Sequence, residues 1–136
     1  MRYVDLARDV FSVFARDDWT AEKISIFPYH TRPSAMGVEY VTFTLLPSKP
    51  ALNSRSLAGI LILEIYTPVA KIPMRPLEIA DKLDKYLVNK SYRTGEGTTQ
   101  FMTSAIEDRG SAIDAENSGL CRTLYSIPFN HFGAFK

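Results

Sequence analysis

The segment from Leu57 to Thr67 constrains the fold of this 136-residue chain more than any other. It is the most hydrophobic stretch of the sequence, and Glu64 is its one charged residue. A strand buried on one side alternates apolar and polar residues, whereas here both sets of alternate positions are apolar. We therefore expect a strand whose second face is covered, either by another element of this chain or by a neighbouring subunit.

Apolar residues at helical spacing predict two helices on either side of this strand. The first opens the chain, and its apolar face consists of Tyr3, Leu6, Ala7, Val10, Phe11 and Phe14. The second runs from Pro76, which suits the first turn of a helix, to about Asn89. Its apolar stripe consists of Ile79, Ala80, Leu83, Tyr86 and Leu87.

Four further segments favour strands, at 24–27, 39–46, 99–106 and 120–129. Pro47 closes the second of these, so that residues 47–56 form a polar connection, and residues 107–119 form the most flexible loop. The order of elements predicts an α+β fold, in which two helices pack on a mostly antiparallel β-sheet of four to five strands. We expect one domain over residues 1–136.

The composition is that of an ordinary soluble domain. Hydrophobic residues make up 46% of the chain, and no apolar run reaches the roughly 20 residues of a membrane span. Sixteen basic side chains stand against fifteen acidic ones, so no global charge favours nucleic acid or an anionic membrane. The single cysteine, Cys121, suits a reducing compartment, and an acid at Asp5 argues against a signal peptide.

Patterns for phosphate or metal sites are weak. Gly95 and Gly97 flank an acid and no Gly-Lys-Ser/Thr follows them, so a turn is the better interpretation. The two histidines, His30 and His131, are far apart in the sequence, and no ligand spacing connects them. We therefore expect neither a metal ion nor a cofactor.

Patterns for catalysis are equally weak. Arg122 follows Cys121 and its charge favours a thiolate, but a lone strand cysteine is more often a small buried side chain. Ser104 and Ser126 lie in strand patterns without a nucleophile-elbow sequence. Glu64 has no evident catalytic partner, and an edge position or a salt bridge, within the chain or across a subunit interface, explains it better. We expect a protein that is not an enzyme.

Charge is divided unevenly along the chain. Residues 31–76 carry five basic and two acidic side chains, whereas residues 77–119 carry five basic and eight acidic ones. Such a division is common on a solvated surface. It also suits a molecule that contacts partners of different charge on two faces.

These segments together resemble the tail terminator, or tail-completion, proteins of long-tailed, non-contractile bacteriophages. The resemblance spans about residues 3–130 and rests on the amphipathic N-terminal helix and on three further segments. These are a strand at 40–47 that ends in proline, a strand at 59–68 that carries Tyr66 before a helix-entry loop, and a helix whose opening, 76–83, includes Ala80-Asp81. The likeness is one of pattern and order.

The resemblance implies a structural protein of the virion, located at the head-proximal end of the tail and made in the host cytoplasm. Such subunits form a ring, expected to be a homohexamer, that stacks on the major tail tube protein and stops its polymerisation. The other side of the ring meets the head-side connector or completion protein. DNA passes through the channel without sequence-specific binding, and no membrane takes part.

The same resemblance makes Lys49, Asn53 and Arg55 the candidate assembly contacts, in the polar connection 47–56. The loop 107–119 is a second candidate contact, one that orders on assembly.

Other classes of protein remain open. Another neck or head-completion ring protein is the nearest alternative. A small ligand-binding α+β domain or an enzyme would show a pocket with convergent polar groups. An RNA-binding sheet would carry basic and aromatic side chains together, and no basic motif surrounds the strand aromatics Phe101 and Phe129.

Overall fold

Three helices and seven strands make up the part of the chain that this computed structural model describes, which comprises residues 2–28, 39–49, 56–68, 71, 74–113 and 120–133. In chain order they are α1 (Arg2–Phe14), α2 (Asp17–Ala21), β1 (Ile26–Pro28), β2 (Tyr40–Lys49), β3 (Leu57–Pro68), α3 (Met74–Leu87), β4 (Ser91–Tyr92), β5 (Thr98–Phe101), β6 (Ala105–Ile113) and β7 (Leu120–Phe132). The predicted α+β class is confirmed. The sheet has more strands than the four to five expected, and α2 is an additional helix.

The strands form one sheet in the order β1-β2-β3-β7-β5-β4, and β6 also pairs with β7. Each pairing is antiparallel except that of β1 with β2. The strand β7 pairs with β3 along one edge, while its other edge pairs first with β6 and then with β5. The hydrophobic strand β3 is therefore an inner strand, with β2 and β7 paired along its two edges.

A break opposite Pro128 separates β5 from β6, where the sequence predicts one strand over 99–106. Met102 N–H donates to Pro128 O at 3.0 Å. In an antiparallel ladder the backbone N–H and C=O of one residue point to the same neighbouring strand. Proline has no N–H, so Pro128 cannot donate a hydrogen bond to the strand at this break. The ladder is interrupted where its donor is missing, and the strand resumes at Ala105.

The loop predicted at 107–119 is wrong for residues 107–113, which belong to β6. This segment pairs with β7 at the edge of the sheet, through Glu107 with Leu124, Asp108 with Thr123 and Ile113 with Cys121. Backbone hydrogen bonds hold such an edge strand without an alternating apolar pattern, and charged residues are common there. Periodicity therefore gave no signal. Residues 114–119 lie outside the described ranges.

α1 buries a face that is rotated from the predicted one. Its buried residues are Leu6, Asp9, Val10 and Val13, while Tyr3 is 56% and Phe11 49% exposed. The predicted stripe counted aromatic residues as core and placed Asp9 on the solvent side. The carboxylate of Asp9 instead has its hydrogen-bond partners inside the protein, on the same face of α1 as Leu6, Val10 and Val13.

α3 buries its predicted stripe on the sheet, and side-chain contacts fix its position. At its first turn Arg75 donates to both carboxylate oxygens of Glu39, at 2.8 and 2.9 Å. Further along, Asp84 Oδ1 accepts from Tyr125 Oη at 2.6 Å and from Ser104 Oγ at 2.5 Å. These contacts place the buried residues Pro76, Ile79, Ala80, Leu83, Tyr86 and Leu87 against the sheet.

The strand β2 continues beyond its predicted end at Leu46, through an irregularity that Gly59 accommodates. The register shifts between Leu46 and Lys49, and Lys49 then pairs with Ala58. A Cβ atom on Gly59 would lie 2.0 Å from the backbone oxygen of Leu46 and 2.8 Å from Pro47 Cα. Only glycine permits this approach of the two backbones. Because β2 continues past Pro47 to Lys49, the prediction that Pro47 closes the strand is wrong.

Gly59→Ala should destabilise the fold by at least about 2 kcal/mol, because the new methyl group meets backbone atoms that cannot move aside. Gly95→Ala is the matched control, since its Cβ would meet the end of the Asp5 side chain at 3.2 Å. Urea unfolding of the two variants measures the difference. Equal stability of both would contradict the close approach at Gly59.

Candidate assembly surface

The side of the sheet opposite the helices is here called the open face. The buried side chains of the three helices cluster with odd-numbered residues of β3 and β7, which leaves the even-numbered residues on the other side. The cross-strand partners of these even-numbered residues extend the face onto β2. The open face comprises Thr42, Thr44, Leu46, Ile60, Ile62, Glu64, Arg122, Leu124, Ser126 and Pro128.

The middle of the open face is apolar and partly exposed. Ile60 lies between Leu46 and Pro128, and Ile62 lies between Thr44 and Ser126 in the next row. Leu46 is 41% exposed, and the apolar residues Ile60, Ile62, Leu124 and Pro128 are half-buried. Contiguous exposed apolar area on a sheet marks a contact surface more often than isolated exposed residues do. No helix among the described residues covers it.

One end of the open face is closed by aromatic rings. Tyr40 stacks on Tyr66 with ring centroids 4.6 Å apart, and Leu120 and Phe27 complete this small cluster. The hydroxyl of Tyr66 donates to Glu64 Oε2 at 2.5 Å. Burial raises the pKa of Tyr66, and the hydrogen bond to Glu64 raises it further. Tyr66 therefore acts as a neutral donor to the Glu64 carboxylate.

Glu64 is paired within the chain rather than exposed at a sheet edge. Besides Tyr66, its carboxylate lies 3.9 Å from Arg122 Nη1 on the neighbouring strand. Both side chains are about one-third exposed, at 28% and 34%. The Nε atom of Arg122 is buried and has no hydrogen-bond partner among the described residues. Sequence reasoning missed this pair because its members are 58 positions apart and only the β3–β7 register brings them together.

Of the predicted assembly contacts, Lys49 is placed at the last residue of β2, where its backbone pairs with Ala58. Asn53 and Arg55 lie outside the described residues. The predicted connection 47–56 thus begins later than expected, because Pro47, Ser48 and Lys49 belong to the strand.

The other sequence candidates are placed apart from one another. Cys121 is buried in β7, Ser126 lies on the open face, and Ser104 donates to Asp84. His30 lies outside the described residues, and His131 is buried on the helix side of β7. Within the described ranges, no group of three or more His, Cys, Asp or Glu side chains is arranged to hold a metal ion.

A buried polar network on the helix side joins α1 to the sheet. Asp9, which is fully buried, accepts at Oδ1 from the backbone N–H of Thr94 at 2.9 Å and from its hydroxyl at 2.6 Å. Its Oδ2 accepts from Thr99 Oγ1 at 2.7 Å. The partners lie 85 and 90 positions along the chain, so no local pattern signals the network.

His131 completes this network in its neutral form. The hydroxyl proton of Thr99 is directed to Asp9, so Thr99 Oγ1 accepts from His131 Nδ1, 2.8 Å away. The imidazole proton is therefore on Nδ1. Gly97 lies close to the ring, and a Cβ there would be 2.8 Å from His131 Nε2. Burial lowers the pKa of His131, and the negative charges of Asp9 and Asp5 oppose that shift.

Stability should fall as the pH drops through about 6.5, the ordinary pKa of histidine in an unfolded chain. The unfolded protein then takes up a proton that the native state, with its lowered His131 pKa, does not. The contribution is complete above that pH and its slope is at most about 1.4 kcal/mol per pH unit. His131→Asn, which retains a donor to Thr99, should show a flatter profile in urea unfolding between about pH 7.5 and 5.5. Parallel profiles for the two proteins would exclude His131 as the source.

Comparison with known proteins gives one informative result. No protein-family model matches the chain, and no curated protein matches its sequence. A solved structure is similar over 98% of this chain and 95% of its own, with a TM-score of 0.62 and 11% sequence identity. Its name says nothing about what that protein does. At this identity the likeness shows that the fold occurs in another protein, and nothing about activity.

The described helices are not of a kind that spans a membrane, because none is both long enough and sufficiently apolar.

Proposed function

We propose that this protein is a structural, non-catalytic subunit of the tail terminator class, which assembles into a ring on the head-proximal end of a phage tail. The observation that carries the proposal is the apolar open face of the sheet, which the described helices leave uncovered. A monomer gains nothing from exposing Leu46, Ile60 and Ile62 on one face. A ring subunit uses such a surface to contact its neighbour.

The dimensions of the open face favour a contact that also uses the flanking connections. From Ala58 to Tyr66, β3 extends about 27 Å at roughly 3.3 Å per residue, and the three strands of the face, each about 4.8 Å wide, span about 15 Å. The face therefore offers roughly 400 Å², which is about half of the 800 Å² that each partner contributes to a standard interface. Lys49 at the end of β2, with Asn53 and Arg55 in the segment that follows it in the sequence, is our candidate for part of the remainder.

The partners of the ring follow from the proposed class. A homohexamer would contact the major tail tube protein on one side and the head-side connector or completion protein on the other. The uneven division of charge along the chain supports two surfaces of different character. DNA would pass through the central channel without sequence-specific binding.

Ile62→Lys should abolish assembly while leaving the subunit folded. The side chain is half-exposed on the open face of the free subunit, so that a lysine there remains in water until a neighbour covers it. The measurement is the mass of the protein by light scattering, with and without purified tail tubes. The wild-type protein should give about six times the subunit mass, either alone or on tube ends.

Leu77→Lys is the matched control, because Leu77 is 45% exposed but lies on α3, away from the open face. It should assemble like the wild-type protein. A wild-type protein that stays monomeric and ignores tubes would refute the terminator proposal. A ring that forms without binding tubes would point to another neck or head-completion protein.

Reversing charge at Lys49 and Arg55 together, by Lys49→Glu and Arg55→Glu, should impair assembly and leave the folding transition unchanged. Surface charge at a contact affects association through complementarity with the partner, and has little effect on the stability of the subunit. Circular dichroism during heating measures the folding, and light scattering measures the assembly. Unchanged assembly would remove this connection from the interface.

A further inference from the structure

A cleft of about 360 Å³ lies on the helix side of the molecule, where the end of α3 faces the turn between α1 and α2. A volume of this size suits a small ligand. Its lining includes Arg16 from the turn and Asp18 from α2, Lys85 from the last turn of α3, Lys90 from the connection to β4, and Ser91 and Tyr92 from β4. The cleft is separate from the open face and from the buried network around Asp9.

The cleft carries an excess of positive charge that is loosely paired. Arg16 lies 3.6 Å from Asp18, and both of these side chains are more than half exposed. Lys85 lies 3.6 Å from Glu22, and the Lys85 side chain is more than half exposed. Exposed ion pairs of this length contribute little, so the two cations can turn to another anion at small cost. Lys90 has no ion pair or side-chain hydrogen bond among the described residues.

The two lysines are not needed to satisfy the end of α3. Tyr92 Oη donates to Tyr86 O, and Lys90 N–H donates to Leu87 O at 3.1 Å. Two of the last carbonyl groups of α3 therefore already accept hydrogen bonds from uncharged donors. The charges on Lys85 and Lys90 remain available to the cleft.

The backbone supplies a further donor beside these charges. Phe101 N–H donates to Lys90 O at 2.9 Å, so Lys90 faces β5 and the next residue, Ser91, has its N–H on the outer edge of β4. Burial raises the pKa of Tyr92, and the positive charge of Arg16 opposes that shift, so the guanidinium acts across the cleft. Donors from three segments of the chain thus converge here.

We propose that this cleft binds a phosphate group, neutralised by Arg16, Lys85 and Lys90 and hydrogen-bonded by the N–H and hydroxyl of Ser91. Phosphate carries several acceptor oxygens and a charge that one cation does not balance, which matches a site rich in donors. The group can belong to a small phosphorylated molecule or to the backbone of DNA. The inference is independent of the proposed terminator function.

The test is a titration of the whole protein with inorganic phosphate, followed by NMR and by calorimetry. The amide signals of Ser91 and Tyr92 should shift with saturation below about 10 mM phosphate, at which a site of millimolar Kd is mostly occupied. The double variant Arg16→Ala, Lys90→Ala should bind at least about tenfold more weakly, because two charge-assisted contacts are removed. Its thermal unfolding should match that of the wild-type protein, since both side chains are exposed.

Lys82→Ala is the matched control. Lys82 lies on α3, as Lys85 does, and its Nζ is 3.1 Å from Glu22, but Lys82 does not line the cleft. It should bind phosphate like the wild-type protein. Amide signals that do not move, or equal weakening by Lys82→Ala, would overturn the proposal. If a short DNA duplex competes with inorganic phosphate for the cleft, the DNA backbone is the source of the phosphate group. If the duplex does not compete, the source is a small phosphorylated molecule.

Discussion

The twelve residue pairs between β3 and β7 determine how each face of the sheet is used. Pairing Leu63 with Tyr125 places both beneath the helices, and the neighbouring pair, Ile62 with Ser126, then faces the other way. A shift of one residue would turn Glu64 into the core and expose Leu63. The core therefore fixes the register, and the open face, its ion pair and its apolar rows follow from that register.

Carboxylate side chains fix the helices on this sheet at defined points. Asp9 joins α1 to Thr94 and Thr99, while Glu39 contacts the first turn of α3 and Asp84 joins its last turn to the sheet. Apolar packing alone tolerates small slides and rotations of a helix, whereas a buried carboxylate has one position in which its oxygens are satisfied. On α1 the two effects act together, because Asp9 lies on the same face as the buried apolar residues Leu6, Val10 and Val13.

The sequence predicts those parts of the fold that depend on local pattern. The stripe of α3 follows from periodicity, since α3 buries every residue that the pattern marks, whereas β3 mostly alternates buried residues with the half-buried residues of its second apolar face. The buried face of α1 could not be predicted, because Asp9 finds its partners 85 and 90 positions away. The break before β6 has a local signal, Pro128, but that residue is on the opposite strand and its effect depends on register.

The candidate surface was predictable in kind but not in detail. Two apolar faces on one strand indicate a second contact surface, whatever covers it. Its polar part, the pairing of Glu64 with Arg122 and Tyr66, depends on strand neighbours that the sequence does not name. The cleft at the end of α3 is a further case, since Arg16 and Lys90 meet there only through the tertiary fold.

The ion pair on the open face affects which partner can cover that face. An exposed apolar sheet surface associates indiscriminately unless polar groups restrict it. Arg122 is 3.9 Å from Glu64, and its buried Nε atom has no hydrogen-bond partner in the part of the chain that the structure describes. A neighbour that buries Arg122 without offering an acceptor leaves a charge incompletely paired, which costs several kcal/mol. In the proposed ring, the neighbour that covers the open face is therefore expected to present an oxygen acceptor at Arg122 and apolar side chains at Ile60 and Ile62.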